Sequence, residues 1–354
     1  MKLKLFSDPH IGLNRTSHTT PASRQLLKQA LVKQVQHILQ TRDKSASAFC
    51  LGDLFDTHNV DNNALIAGYS VYHECDLVLF GNHDLSNRVD AVSSIEVIDR
   101  VDREHSFAAR TTPSTMGEAV AESVVIDGLT CWWVDHKLTQ TIFEEAINAA
   151  YSQAEKGHIL LLHCNYESPF ASQESTLNLT RELAEHLLTK FSYIFLGHEH
   201  MPRTDLDDRI RLVGNTHPTG FADLSDKFAW DVTIENGQVT EITPQLIWSL
   251  DEGYLCLDWT ALSEVTEIAD TVQFIEVKGT ADQQHMPTIA SQVSALWRLS
   301  DNLLMVRNNV VATASIEVQQ AKEFTRCQSI PERISSELKG TPLATLWAAY
   351  LEAL

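Results

Sequence analysis

Val78-Leu79-Phe80-Gly81-Asn82-His83-Asp84 decides how the rest of the chain is read. A short apolar run halted by glycine reads as a buried parallel strand feeding a loop. In open α/β sheets the reacting groups sit beyond the carboxyl ends of such strands. Asn82 offers a neutral oxygen, His83 an imidazole, and Asp84 a carboxylate able to fix the imidazole tautomer. By itself Gly-Asn is equally a turn pair. The same grammar recurs, however. Leu3 and Leu5 alternate with lysines and lead through Phe6-Ser7 to Asp8-Pro9-His10; Ala46 to Leu51 leads to Gly52-Asp53. Ile159 to Leu162 ends in His163, and Tyr193 to Leu196 ends in Gly197-His198-Glu199-His200. A surface or core histidine explains any one of these; it does not explain the set.

Composition bounds the reading. The 354 residues carry a formal charge of −20, enough chain for more than one domain. The apolar runs fall short of the roughly 20 residues of a membrane span, and no basic-then-apolar signal segment opens the chain, so a cytoplasmic protein is expected. The six cysteines form no CxxC pair and read as thiols of a reducing compartment. Strong negative charge argues against a nonspecific coat for nucleic acid. A nucleic-acid enzyme stays open, because bound cations and a local basic patch can attract the substrate.

Apolar periodicity predicts helices over Thr20 to Gln40, Asn62 to His73, Phe143 to Ala154, Leu177 to Leu188 and Thr288 to Trp297, with a short helix and loop in Val89 to Arg110. Pro21 fits a first helical turn. Asp127-Gly128 between Val124-Ile126 and Thr130-Trp133 predicts a hairpin. Strands are expected at Val272-Val277, Leu303-Val306 and Val310-Ile316. His37, His58, His73 and His186 carry no strand-end context and read as surface residues.

The chemistry that uses carboxylates, imidazoles and one amide oxygen together is two-metal phosphoester hydrolysis. Such a mixed shell suits borderline-hard divalent ions such as manganese or iron, and also holds zinc. A bridging carboxylate keeps two ions about 3.5–4 Å apart, and an imidazole outside the shell can protonate the leaving alkoxide.

Asp8-x-His10, Gly52-Asp53-x-x-Asp56, Gly81-Asn82-His83-Asp84, His163 and Gly197-His198-x-His200 resemble, in order and spacing, the five-part signature of the calcineurin-like metallophosphoesterases. The resemblance implies an α/β fold with a two-layered β-sandwich flanked by helices, and two divalent ions, manganese first, with magnesium, iron or zinc as alternatives. It implies that Asp8, His10 and His200 hold one ion and Asn82, His163 and His198 the other. Asp53 would bridge them, and His83, oriented by Asp84, would assist catalysis from outside the shell.

Within the superfamily, Gly-Asp-Leu-Phe, Gly-Asn-His-Asp and Arg211-Leu212-Val213-Gly214-Asn215 are similar to SbcD-type nucleases, including phage-encoded forms that act in a host cytoplasm. Protein phosphatases differ at Asp56-Thr57-His58 and at Asp84. Many cellular SbcD-type members have His where this chain has Asp56, which leaves the handling of duplex ends in question. The branch implies a DNA substrate, an SbcC-type coiled-coil ATPase partner, and a role in repair or recombination; it leaves a homodimer open. The expected domains are a catalytic domain over 1–245, a small α/β capping module over 265–320 and a helical segment over 328–354. In that last segment Leu343, Leu346, Trp347, Tyr350, Leu351 and Leu354 share a face for a partner, or for the domain itself. The competing reading is a small-molecule or nucleotide phosphodiesterase that needs no partner.

Overall fold

Apolar runs buried on both faces become the strands of two sheets. The computed structural model describes residues 1–86, 91–102, 116–168 and 177–313, together with Leu338, Leu343 and Trp347. The chain divides into one unit of Met1–Leu255, Ala269–Ile275 and Ser300–Val306, and another of Cys256–Ile268, Glu276–Leu299 and Arg307–Leu354.

In the first unit β1 (Lys2–Phe6), α1 (Pro21–Thr41), β2 (Ser47–Cys50), α2 (Asn62–Glu74) and β3 (Leu77–Val78) form a βαβαβ series. After α3 (Ser94–Val101), the hairpin of β4 (Glu122–Ile126) and β5 (Leu129–Val134) leads through α4 (Gln140–Gln153) to β6 (Ile159–His163). A short parallel pair, β7 (Asn165–Tyr166) and β8 (Asn178–Leu179), precedes α5 (Arg181–Leu187) and β9 (Tyr193–Gly197). There follow β10 (Arg203–Asp205), β11 (Ile210–Leu212), β12 (Lys227–Glu235), β13 (Gln238–Trp248) and the single turn α6 (Leu250–Gly253). One sheet runs β13-β12-β1-β2-β3 and the other β10-β11-β9-β6-β5-β4. The first is parallel over β1-β2-β3, up to its β3 edge, with antiparallel β12 and β13 at the other margin; the second is parallel over β11-β9-β6-β5 with antiparallel β10 and β4 at its two margins.

Side-chain alternation sorts each strand between two layers. In β6, Ile159 and Leu161 face inward to join Leu3, Leu5, Phe49, Trp133, Phe195 and Val232 between the sheets. Leu160 and Leu162 face outward onto Phe143, Ala146 and Ile147 of α4 and Leu187 of α5. On the other outer face, Phe6, Ala48, Cys50 and Val78 pack beneath Val35 and Ile38 of α1, Val71 of α2 and Ile95 and Ile98 of α3. The architecture is therefore the expected α/β sandwich of two sheets between helices. Each fully buried aliphatic side chain contributes about 1.5–3 kcal/mol to it.

Local signals place the helix starts. Thr20 and Ser23 form a reciprocal capping box with Pro21 in the first turn of α1, and Asp61 caps α2. In the hairpin Asp127 and Gly128 have φ of 50° and 81°, as a type I′ turn requires. Two expectations need correction. The helix of Leu177 to Leu188 covers only Arg181–Leu187, because Asn178–Leu179 pairs with β7 and Thr180 caps the first turn at Leu183. The short helix expected within Val89 to Arg110 is present as Ser94–Val101, while 87–90 and 103–110 lie outside the described residues.

The two strands expected at Leu303-Val306 and Val310-Ile316 are, within the described residues, a single strand, β16 (Met305–Thr313), with Leu303 and Leu304 before it and 314–316 outside the described residues. With β14 (Tyr254–Asp258) and β15 (Phe274–Asp282) it forms a three-stranded sheet of order β14-β15-β16, and α7 (Met286–Leu296) lies between β15 and β16 in sequence. The face expected in 328–354 lies outside the described residues except for Leu338, Leu343 and Trp347, as does the 314–320 end of the expected capping module. Among the described residues no helix is long and apolar enough to cross a membrane.

Candidate metal centre

The parallel strands of both sheets deliver their carboxyl ends to one place. Ser7, just past β1, bridges to Asn215, beyond β11, and so links the two sheets there. The loop after β1 is laid on the loop after β2: the N–H groups of Asp8, His10 and Ile11 donate to the carbonyls of Gly52, Asp53 and Leu54 at 3.0, 3.1 and 2.9 Å. Asp8, His10, Asp53 and His198 have φ of 53°, 48°, 50° and 84°. Non-glycine residues reach this left-handed region only when their surroundings hold them there, and such positions concentrate at functional sites. Gly52 has φ of 105°, and a Cβ on it would collide with His163 Nδ1. A Cβ on Gly81 would collide with the Asp53 carboxylate, so the glycine before Asn82 makes room for the central acid.

Two ligand clusters result. Asp8, His10 and His200 form one, and Asp53, His163 and His198 another, each with ligand atoms within 4.8 Å of one another. Asp53 also groups with His10 and His83. Its Oδ2 lies 3.3 Å from His163 Nε2 and 4.0 Å from His10 Nε2, so this carboxylate faces both clusters. Asn82 Oδ1 stands 3.1 Å from His163 Nε2 and 2.9 Å from His198 Nδ1. Every metal-ligating candidate from the sequence, Asp8, His10, Asp53, Asn82, His163, His198 and His200, is thus within this one site.

The imidazoles are aimed by their far nitrogens. His163 Nδ1 donates to the Leu51 carbonyl at 2.7 Å, which fixes the ring with Nε2 towards Asp53 and Asn82. His200 Nδ1 donates to Asp223 at 3.1 Å, leaving its Nε2 only 2.9 Å from His10 Nε2. His83, exposed at the mouth, places Nδ1 2.6 Å from the Asp56 carbonyl. The expectation that Asp84 orients His83 is therefore corrected. Asp84 is buried and accepts the N–H groups of Leu54, Phe55 and Gly81 at 3.2, 2.9 and 2.9 Å; it ties the β2 and β3 loops together.

The donor set fits divalent cations. Asp8 Oδ1 is buried and accepts no hydrogen bond from the described residues, yet His10 Nε2 and His200 Nε2 both stand 4.0 Å away. Two ring nitrogens 2.9 Å apart beside an unsatisfied carboxylate oxygen call for a shared cation. Electrostatics agree. Burial alone would push His10 down, but Asp56, Asp53 and Asp8 hold it up at about 9. Burial likewise opposes the proton on His163, and Asp53 raises it to about 10. Against its own burial, Asp53 is held far below the usual carboxylate range by His163, His10 and His83. Imidazoles that retain protons at such values sit in a field that attracts positive charge.

No protein-family model and no curated protein sequence matches the chain. Among solved structures, it is similar to a putative 5'-nucleotidase from Staphylococcus aureus, with 11% identity over 70% of this chain and 54% of that one, and a TM-score of 0.40. A 5'-nucleotidase precursor from Thermus thermophilus matches with 14% identity over 69% and 54%, TM-score 0.37. The calcineurin-like phosphoesterase YfkN from Bacillus subtilis matches with 12% identity over 70% and 90%, TM-score 0.37. The match spans about half the length of each of the two nucleotidases.

Three supports surround the ligands; Asp56 was read only as a motif position, and the other two escaped the sequence reading. Asp56 stands 3.5 Å from His10 Nδ1 through its carboxylate, besides accepting His83 through its carbonyl. Asp135 and His136, at the tip of β5, clasp β3: Phe80 N–H donates to Asp135 at 2.8 Å and His136 N–H to the Phe80 carbonyl at 2.9 Å. Their signal was present, since they follow Val134 just as His163 follows Leu162. The third support is Asp223, which accepts from Asn215 Nδ2, the Thr219 hydroxyl and the Thr219 and Gly220 N–H groups as well as from His200. Beside it Lys227 donates Nζ to the carbonyls of His200 and Asp223 and to Ser225 Oγ; burial pushes this amine down to about 8.

Partners that orient a ligand histidine are commonly worth about 10–100-fold in metal affinity. Asp223→Ala is accordingly expected to weaken manganese binding by about that factor, read by calorimetric titration of the full chain. Unchanged affinity would mean that the Asp223–His200 contact does not aim the ring.

Proposed function

We propose that the chain is a two-metal phosphodiester hydrolase, and within that class a DNA exo- or endonuclease subunit that works with an SbcC-type coiled-coil ATPase in repair or recombination. The observation that carries the hydrolase reading is the pair of ligand clusters facing one carboxylate, Asp53. Asp8, His10 and His200 would hold one divalent ion and Asn82, His163 and His198 the other, with Asp53 placed to serve both. Carboxylate, imidazole and amide oxygen donors suit manganese, with magnesium, iron and zinc as competitors. Bound divalent ions supply Lewis acidity and charge neutralisation at the phosphate.

The chain's own groups do the rest. His163 and His200 are held in one tautomer by Leu51 and Asp223, so their Nε2 atoms need no rearrangement to bind. His83, with Nδ1 engaged by the Asp56 carbonyl, presents Nε2 to protonate the leaving alkoxide oxygen. DNA and the ATPase partner rest on the motif resemblance, which would seat the partner on the segment 328–354.

Purified protein supplied with manganese is expected to cleave linear DNA and bis-p-nitrophenyl phosphate. Turnover of mononucleotides or the small diester with DNA left intact would favour the partner-free phosphodiesterase. No hydrolysis of any of them, in any of the four metals, would end the hydrolase reading.

A further inference from the structure

The charge of −20 is not spread evenly. Residues 9–42 carry Arg15, Arg24, Lys28, Lys33 and Arg42 and no Asp or Glu, leaving all 47 acidic residues to the rest of the chain. This acid-free run begins at the metal centre, directly after Asp8, and includes His10. Its first cation is at the rim of the site. Arg15 is exposed, and its Cζ lies 3.5 Å from where a Cβ on Gly220 would stand. Gly220 in turn donates its N–H to Asp223, the carboxylate that holds His200.

The run continues as α1. Where Ile11 and Gly12 leave the site, a groove opens between α1 and α2, lined on the α1 side by Gln25, Lys28, Gln29, Lys33 and Gln36. Asp61 is the one carboxylate among the described residues lining it. It meets Lys28 at 3.4 Å with both side chains partly exposed, a pairing that contributes little and exchanges readily. Asp61 apart, the lining offers the amide and ammonium donors that phosphate oxygens and sugar hydroxyls require. The length also discriminates. At 1.5 Å per residue the 21-residue helix is about 30 Å long, on the order of nine phosphates of one B-form strand, far more than a mononucleotide could use.

We propose that Arg15 and the lysine–glutamine face of α1 form a track for the sugar–phosphate backbone of a polynucleotide whose scissile phosphate lies at the metal centre. This rests on the phosphodiesterase reading, and it supplies the local basic patch that an acidic nucleic-acid enzyme needs.

The test is fluorescence anisotropy of the full chain in EDTA with a labelled oligonucleotide of about 30 nucleotides, single-stranded and duplex, across about 50–200 mM salt. The triple variant Arg15→Gln, Lys28→Gln, Lys33→Gln is expected to bind about tenfold or more weakly and to flatten the log–log salt slope by about 2–3, roughly one per lost phosphate contact. Circular dichroism melting of the variant guards against misfolding. Equal affinity and slope in the variant would overturn the track, as would failure of the parent to bind. Equal affinity of the parent for polyglutamate would also overturn it, by making the face a site for acidic protein. Hydrolysis of bis-p-nitrophenyl phosphate by the parent is scored separately. Binding through this face without hydrolysis keeps the track and loses the enzyme, whereas hydrolysis with an indifferent variant does the reverse.

Discussion

Asp53→Ala is expected to lower phosphodiester hydrolysis by more than about 10³-fold, beyond the 10²–10³ typical of removing one donor to a developing charge. The reason is that this one carboxylate faces both clusters, 3.3 Å from His163 and 4.0 Å from His10. Its loss leaves one cluster with Asp8 as its single carboxylate and the other, His163 and His198 beside Asn82, with none. The fold should persist. The variant loses the hydrogen bond from the His83 N–H and the contact with His163 Nε2, both within the site, and none of the buried packing between the sheets. Steady-state rates in manganese, beside a melting curve, check this. Near-normal turnover would remove the shared-carboxylate account.

Asp84→Ala should act on stability instead. Its carboxylate accepts three backbone N–H groups from two loops, and all three contacts are buried. A buried donor left without a partner costs about 1–3 kcal/mol, and removing one side of a buried charged contact about 3–5 kcal/mol. We expect a loss on the order of 3–5 kcal/mol in urea unfolding, with impaired metal binding as a consequence, because the Leu54–Phe55 and Gly81 backbones carry Asp53 and Asn82 on either side. Asp84→Asn should fall between, since its amide keeps one acceptor oxygen and turns a donor towards the N–H groups. A loss below about 1 kcal/mol would show that the loops hold each other without Asp84.

Much of this was legible in the sequence because strand-end chemistry is local. An apolar run, a glycine and a polar residue occupy consecutive positions, so β1, β2, β3, β6 and β9 announce both their burial and their cargo. Helix α1 was equally plain, with its apolar stripe and Pro21. What stayed hidden depends on partners distant in sequence. The antiparallel margin of β12 and β13 closes the first sheet by pairing Leu5 with Trp230, more than two hundred residues apart. Asp223 sits in a loop without periodicity, and only the fold shows that it faces His200. Asp84 looked like the partner of its neighbour His83, but adjacent side chains at a strand tip diverge, and a buried carboxylate finds the nearest free N–H groups. The start of α5 was overextended because an apolar Leu177 and Leu179 fit a helical period as well as they fit a two-residue strand.

The central claim is that two clusters sharing Asp53 bind two divalent ions. Its most direct test is the manganese content of the full chain after equilibrium dialysis, with electron paramagnetic resonance to see whether the ions interact. The account predicts two equivalents per chain, magnetically coupled as ions about 3.5–4 Å apart must be, and loss of both the coupling and most of the metal in Asp53→Ala. A single uncoupled equivalent, or two that survive the loss of Asp53 with their coupling intact, would contradict it.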